Sequence, residues 1–309
     1  MQAPIRRNHP VHAPVGGVVP AAVAVALWSL TPVLAELAHA VPPLQLAAMV
    51  AGVATLATWP LGRAVGRRAG DPVAVPARTW LAGPLLVLGA VGFYFVALRL
   101  APAAEVALVA YTWPALFVIA AELIQVRRVH ASSLAGTALA FGGAALVLVK
   151  PSAAAGDPAW AGYFCAFASG TCWAAFSLLA RQQPVPLSGI MPRLFGLATV
   201  WAVAGHLLVE QTLWSVATGE LASIAFIGFG PYGLAFVAWD TALRRGRSAT
   251  VGTLAYAVPV LSALLLIAAG MASIDWRLAG AAMAVVAGCA VASRRRPEPA
   301  APAWRARRA

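Results

Sequence analysis

The chain has 309 residues, of which 61% are hydrophobic and 10% charged, and its mean hydropathy is +0.81. A water-soluble domain is nearer about 45–50% apolar and 25% charged, so this composition excludes a soluble globular protein and implies a bilayer. The net charge of +12 is not read as a nucleic-acid surface, because its meaning lies in where the basic residues stand between apolar runs.

In chain order the pattern predicts a short cytoplasmic tail, 1–16, then ten apolar spans. They run over 17–39, 44–62, 79–99, 101–125, 133–150, 159–181, 190–209, 220–244, 247–270 and 276–293. Each is close to the roughly 20 residues that cross a hydrocarbon core. With the N-terminus in the cytoplasm, only Arg99, Lys150 and Arg277 of the 22 Lys and Arg fall outside. That asymmetry is the positive-inside pattern and predicts both termini cytoplasmic, residues 294–309 forming a basic tail. Arg6, Arg7 and the later Ala38-His39-Ala40 mimic a secretory signal, but the intervening apolar run is too long and holds Glu36.

The first span carries "ALWSLTPVLA", with Trp28 near its middle. The fourth carries "VAYTWPAL", which sets Tyr111, Thr112 and Trp113 against Pro114 in the middle of an apolar run. Lipid offers no partner to a hydroxyl, an indole N–H or a backbone group freed by proline, so such residues face protein or water. Tyr111 and Trp113 are two apart, so a straight helix points them to opposite sides; Pro114 is expected to bend the span enough to bring one of them in, and both need not line a cavity. The sixth span holds "TCWAAFSLLA", with Trp173 and Phe176. In the eighth, Phe229, Tyr232, Phe236 and Trp239 follow at +3, +4 and +3, one helical face, with Asp240 at its edge. The same span contains "GFGPYG", Gly228 to Gly233. No strand precedes it, so it reads as a packing or kinking element rather than a dinucleotide loop.

The chain says the same thing twice. Trp28 and Trp173 are 145 residues apart; "AYTWPAL" from Ala110 answers "AYAVPVL" from Ala255 at the same offset, matching Tyr111 to Tyr256 and Pro114 to Pro259. "ALRLAPAAE" from Ala97 matches "ALRRGRSAT" from Ala242, and Gly143 matches Gly288. Two five-span repeats are expected, 17–150 and 159–293, joined by "PSAAAGDP". Five is odd, so the second repeat enters the membrane from the opposite face. An all-α integral membrane protein of ten transmembrane helices in two inverted repeats is the expected fold, an arrangement found in secondary transporters.

Chemistry beyond binding finds little support. Cys165, Cys172 and Cys289 all lie in apolar runs, and His9, His12, His39, His130 and His206 have no ligand-spaced neighbours. No metal site, disulfide framework or cofactor is expected, and without paired nucleophile and base an enzyme is not. Glu36, Glu105, Glu122 and Asp240 sit toward span ends. Asp240 is expected to pair with Arg244 and Glu122 with Arg127, while Glu105 is a candidate coupling carboxylate. Tyr94, late in an outward span, and its repeat partner Trp239 are expected to act as opposing gates.

Taken together, "LWS", "AEVALVAYTWPAL", "WAAFSLLAR", "AFVAWDTAL" and "YAVPVLSA" resemble the drug/metabolite transporter superfamily of EamA type, and within it the YddG-type aromatic amino-acid exporters of bacterial inner membranes. Asp240 departs from that pattern, which has a neutral amide there, and the connection from Tyr94 to Glu105 is short. The resemblance implies a central cavity surrounded by Trp28, Tyr94, Tyr111, Trp113, Trp173, Trp239 and Tyr256. With Phe176 and Tyr232 these are the candidate substrate-binding residues; Pro114, Pro259, Glu105 and Asp240 are the candidate gating or coupling residues. The expected function is export of aromatic and other neutral amino acids by alternating access, by a monomer whose partners are small-molecule substrate and lipid, not nucleic acid. The alternative is export of amphipathic drugs or cationic metabolites by the same fold.

Overall fold

A computed structural model describes residues 17–68, 75–125, 127–148, 158–181, 187–245, 254–255, 257–273 and 276–292. Among these, every regular element is helical. The two tails, the connection at 151–157 and Tyr256 lie outside the described residues.

The helices are α1 (Val18–Ser29), α2 (Thr31–Leu37), α3 (Pro43–Arg68), α4 (Ala77–Leu100), α5 (Ala103–Ala110), α6 (Trp113–Gln125) and α7 (Ala131–Leu148). After the connection come α8 (Pro158–Arg181), α9 (Met191–Val209), α10 (Thr218–Ile227), α11 (Ala235–Arg245), α12 (Ala257–Ala268) and α13 (Trp276–Ala292). Among the described residues, seven helical segments are long and apolar enough to cross a bilayer: Val18–Leu37, Pro43–Ala64, Ala77–Leu100, Ala103–Ile124, Ala159–Ala180, Met191–Val209 and Thr218–Ala242. Two shorter apolar helices, Ala257–Ala268 and Ala279–Gly288, accompany them.

Three of the segments are irregular, each around a proline. α1 stops at Ser29 and α2 begins at Thr31, because Pro32 has no N–H to give the Trp28 carbonyl and the chain tightens to Leu30 N–H on Leu27 O at 3.2 Å. The fourth predicted span breaks likewise. Pro114 withholds a donor from Ala110, Thr112 N–H turns to Val109 O at 3.2 Å, and the Thr112 hydroxyl donates to the same carbonyl at 2.8 Å. Between α10 and α11, Gly228–Leu234 winds as a π-helix around Pro231.

That π turn alters one expectation. Phe229 does not join Tyr232, Phe236 and Trp239 on the inner face but is 52% exposed. The 3.6-residue spacing that aligned all four does not hold where hydrogen bonds run i to i+5. The "GFGPYG" segment is a close-packing element, as its sequence implied. A methyl built on Gly228 would meet Val53 Cβ at 2.5 Å and the Val50 carbonyl at 2.7 Å.

Within lipid, helices gain little from the hydrophobic effect and associate through van der Waals fit. The pairings are α4 on α8, α3 on α9, α1 on α11 and α7 on α13. The last crossing rests on glycine. A methyl on Gly143 would lie 2.6 Å from Ala284 Cβ and 3.0 Å from the Ala281 carbonyl, and one on Gly288 would strike the backbone of Gly136 and Ala140.

Helix ends gather in two groups. At one end, the Arg99 guanidinium donates to Ala38 O at 3.0 Å and Val41 O at 2.9 Å. There the Glu210 carboxylate accepts from Leu44 N–H at 2.9 Å and Gln45 N–H at 3.1 Å, capping α3. Gln45 in turn exchanges two 2.9 Å hydrogen bonds with the Leu213 backbone. At the other end, Ser188 N–H donates to Asp240 at 3.4 Å, and Arg193 lies over the Trp80 ring at 6.0 Å. Glu122 finds different partners from the expected Arg127: the Ser133 hydroxyl at 2.7 Å, His130 N–H at 2.9 Å and His130 Nδ1 at 3.0 Å. Arg127 takes a left-handed φ of 54°, reversing the chain so that the start of α7 comes up beneath the carboxylate.

Candidate functional site

Trp28 is 8% exposed, and its indole N–H donates to the Pro231 carbonyl at 2.9 Å. The bond joins two segments 203 positions apart in sequence and fixes the ring against the π turn, where the carbonyl ladder is irregular. Trp173, on α8, meets Trp28 edge to face at 6.0 Å. Trp113 opens α6 immediately after the break and meets Trp173 at 6.1 Å, interplanar angle 86°. Phe236 closes the cluster, 4.8 Å from Trp173 and 6.2 Å from Trp28. Edge-to-face pairs of this kind add about 0.5–1.5 kcal/mol each beyond burial.

Beside these rings lies a cavity of about 80 Å³. Trp28, Trp113, Trp173 and Phe236 form its ring wall, and Tyr94, Tyr111 and Tyr232 bring phenol hydroxyls to it. Small residues leave the space open: Thr31 at the first helix break, Val87, Ala90 and Val91 on α4, and Ala110, Ser169 and Gly170 where α5 meets α8. None of these lining residues is charged.

The break in "VAYTWPAL" explains how Tyr111 and Trp113 both reach the cavity, which a straight helix would forbid. α5 ends at Ala110, so the two residues belong to different helical frames. Gly170 makes this possible. Its Cα packs on the Ala110 carbonyl, the one Pro114 leaves without a helical donor, and a methyl on Gly170 would also reach Trp113 Cβ at 3.5 Å.

Of the expected binding residues, Trp28, Tyr94, Tyr111, Trp113, Trp173 and Tyr232 line the cavity. Phe176 and Trp239 stand behind the wall instead: Phe176 stacks on Trp173 at 5.5 Å and Trp239 packs on Trp28 at 5.1 Å. Tyr256 is outside the described residues. Pro114 and Pro259 are both buried, each in the first turn of its helix. The Glu105 carboxylate accepts a hydrogen bond from the Tyr163 hydroxyl, away from the cavity. Asp240 caps the turn before α9 through Ser188.

Sequence reasoning passed over Thr31, Ser169 and Gly170. Small polar residues and glycine at mid-span were the available signal, since a void forms where a small side chain faces large ones. Ser169 also serves the frame, its hydroxyl donating to Ala90 O at 2.6 Å.

Comparison with known proteins agrees with this architecture. Residues 15–149 match the EamA-like transporter family. The aromatic amino acid exporter YddG of Ancylobacter novellus is 35% identical to this chain over 283 residues, covering 87% of this chain and 94% of that protein. A crystal structure whose protein is 31% identical matches with a TM-score of 0.69 over 91% of this chain and 97% of the other. Identity of this extent, along nearly the whole length of an exporter and over a helical membrane frame, makes the chain a transporter and not an enzyme. It belongs to the EamA-like transporter family of the drug/metabolite transporter superfamily.

Proposed function

We propose that this chain exports aromatic and other neutral amino acids across a bacterial inner membrane by alternating access. In this reading ten transmembrane helices form two inverted repeats, 17–150 and 159–293, with both termini cytoplasmic, and the monomer encloses the site. The observation that carries the reading is the uncharged cavity walled by Trp28, Trp113 and Trp173. A zwitterion asks for no formal charge from the protein, and its ring gains edge and face contacts from indoles.

The packing supports a two-fold relation between the repeats. Trp28 and Trp173, at equivalent positions, touch each other. Gly143 of α7 sits over Ala281 and Ala284 of α13, and its equivalent Gly288 sits over Gly136 and Ala140 of α7. Adding 145 to 136 gives 281, so the two contacts exchange under the repeat.

Around the cavity the repeats differ. Thr31, Val87, Val91 and Tyr94 border the space, and their equivalents Phe176, Tyr232, Phe236 and Trp239 are each larger: Tyr232 and Phe236 border it too, while Phe176 and Trp239 pack behind the rings. Tyr94 therefore reads as the gate at the Arg99 end and Trp239, held on Trp28, as the closed gate at the other. A volume of about 80 Å³ is well below the roughly 300–1,000 Å³ of small-molecule sites, so substrate entry requires these side chains to move outward. Relaxation between two such packings is the alternating step.

Counterflow in proteoliposomes with labelled phenylalanine, tryptophan, alanine and a quaternary ammonium tests this function. Trp173→Ala is expected to reduce tryptophan flux more than alanine flux. Uptake of the quaternary ammonium without uptake of any amino acid would replace the reading.

A further inference from the structure

The interior hydroxyls of the cavity divide into two kinds. Ser169 donates to Ala90 O, and Thr112, next to the break, donates to Val109 O. These serve the frame. The phenol hydroxyls of Tyr94, Tyr111 and Tyr232 make no hydrogen bond among the described residues. Tyr94 is only 7% exposed, and all three side chains line the cavity. They are not sealed away: the buried side-chain atoms without a partner among the described residues belong to Thr79 and Thr137, so the phenol oxygens keep surface open to whatever fills the space. Three open hydroxyls without a protein partner on the lining of one small cavity are a site for something brought in.

They come from three elements, α4, the α5–α6 break and the π turn. Each exists in the cavity through a separate irregularity or helix register, and the indole cluster stands beside them on the same lining. The cavity thus has a ring pole, Trp28, Trp113 and Trp173, and a hydroxyl pole, Tyr94, Tyr111 and Tyr232.

We infer that the hydroxyl pole is a carboxylate subsite: the three phenol O–H groups donate to the carboxylate of the transported amino acid while the indoles take its side chain. This rests on the cargo proposed above. Phenols are donors that stay neutral, and a hydrogen bond to an ionised acceptor is shorter and about twice as strong as a neutral one. With no Lys or Arg among the described lining residues, neutral donors are what the cavity offers an anion. They also let it go, since a buried guanidinium would hold a carboxylate too tightly for turnover. Selectivity follows for free α-carboxylates over alcohols and esters of the same side chain.

The test compares inhibition of labelled phenylalanine counterflow by phenylalanine and by phenylalaninol, which keeps the ring and ammonium and replaces the carboxylate with CH₂OH. Wild type and the Tyr94→Phe, Tyr111→Phe and Tyr232→Phe proteins are measured, with Trp173→Ala for contrast. Each Tyr→Phe change removes one oxygen and keeps the ring, and thermal unfolding of each variant checks the fold. Phenylalanine inhibition should weaken about tenfold in each, with phenylalaninol inhibition within twofold of wild type, so that the preference for the acid collapses. Trp173→Ala should weaken both ligands together. If the Tyr→Phe variants weaken both alike, or neither, the carboxylate subsite is overturned. A wild-type protein that carries no phenylalanine would overturn the proposed cargo and this subsite together.

Discussion

Gly170→Ala adds one methyl group at the place where the chain can least absorb it. Glycine there lets α8 rest on the Ala110 carbonyl, and the new methyl would also stand 3.4 Å from the Ala110 carbonyl carbon and 3.5 Å from Trp113 Cβ. The obstructing atom is backbone oxygen, so no rotamer change relieves the overlap. Overpacking typically costs about 1–3 kcal/mol, and the rigid neighbour places this case at the upper end. Replacing glycine in a helix returns up to about 1 kcal/mol, leaving a net loss near 2 kcal/mol. At roughly 2 °C per kcal/mol, the lower bound for chains of 150–250 residues, thermal unfolding in detergent should move down by about 4 °C. Gly142→Ala is the control, because a methyl there meets nothing within 4 Å; it should be neutral or slightly stabilising. Transport should fall with Gly170→Ala, since Tyr111 and Trp113 are both positioned by this contact. A Gly170→Ala protein that unfolds and transports like wild type would show that the close approach is not what holds the break.

Trp28→Phe keeps a ring but strands the Pro231 carbonyl, now bonded at 2.9 Å; it should cost about 1–3 kcal/mol more than Trp173→Phe in the same unfolding assay, and equal costs would refute a structural role for the indole N–H. Glu210→Gln removes the charge from a carboxylate that takes Leu44 N–H, Gln45 N–H and His206 Nδ1 at 2.9, 3.1 and 2.7 Å. A loss of about 1.5–3 kcal/mol is expected, and an unchanged unfolding temperature would mean the clasp contributes nothing. For sidedness, Arg128→Cys and Met271→Cys, introduced singly into a cysteine-free background, should react with a membrane-impermeant maleimide from opposite faces, cytoplasmic for 128 and external for 271. Labelling from one common face would remove the inverted repeat.

Much of the frame could be read directly because lipid imposes a simple rule, that about 20 apolar residues make a crossing. The offset between Trp28 and Trp173 likewise singled out two rings that meet on the cavity wall. What escaped was local register. The i to i+5 wind at Gly228–Leu234 turned Phe229 outward, and the stop at Ala110 brought Tyr111 and Trp113 to the same space. Both depend on which carbonyls lose donors to Pro231 and Pro114, and on what packs there. Partner choice was equally hidden. Arg127 stands five residues from Glu122 in sequence, but its left-handed backbone delivered His130 and Ser133 instead, and nothing local linked Glu105 to Tyr163.

The absence of formal charge among the lining residues reaches further than recognition. A membrane voltage does work only on charge that moves through it, about 2.3 kcal/mol for each elementary charge across 100 mV. An empty neutral cavity and one filled with a zwitterion both move none. For the zwitterionic cargo proposed above, neither the empty nor the filled cavity carries net charge, so a potassium diffusion potential of either sign should leave its flux where it was.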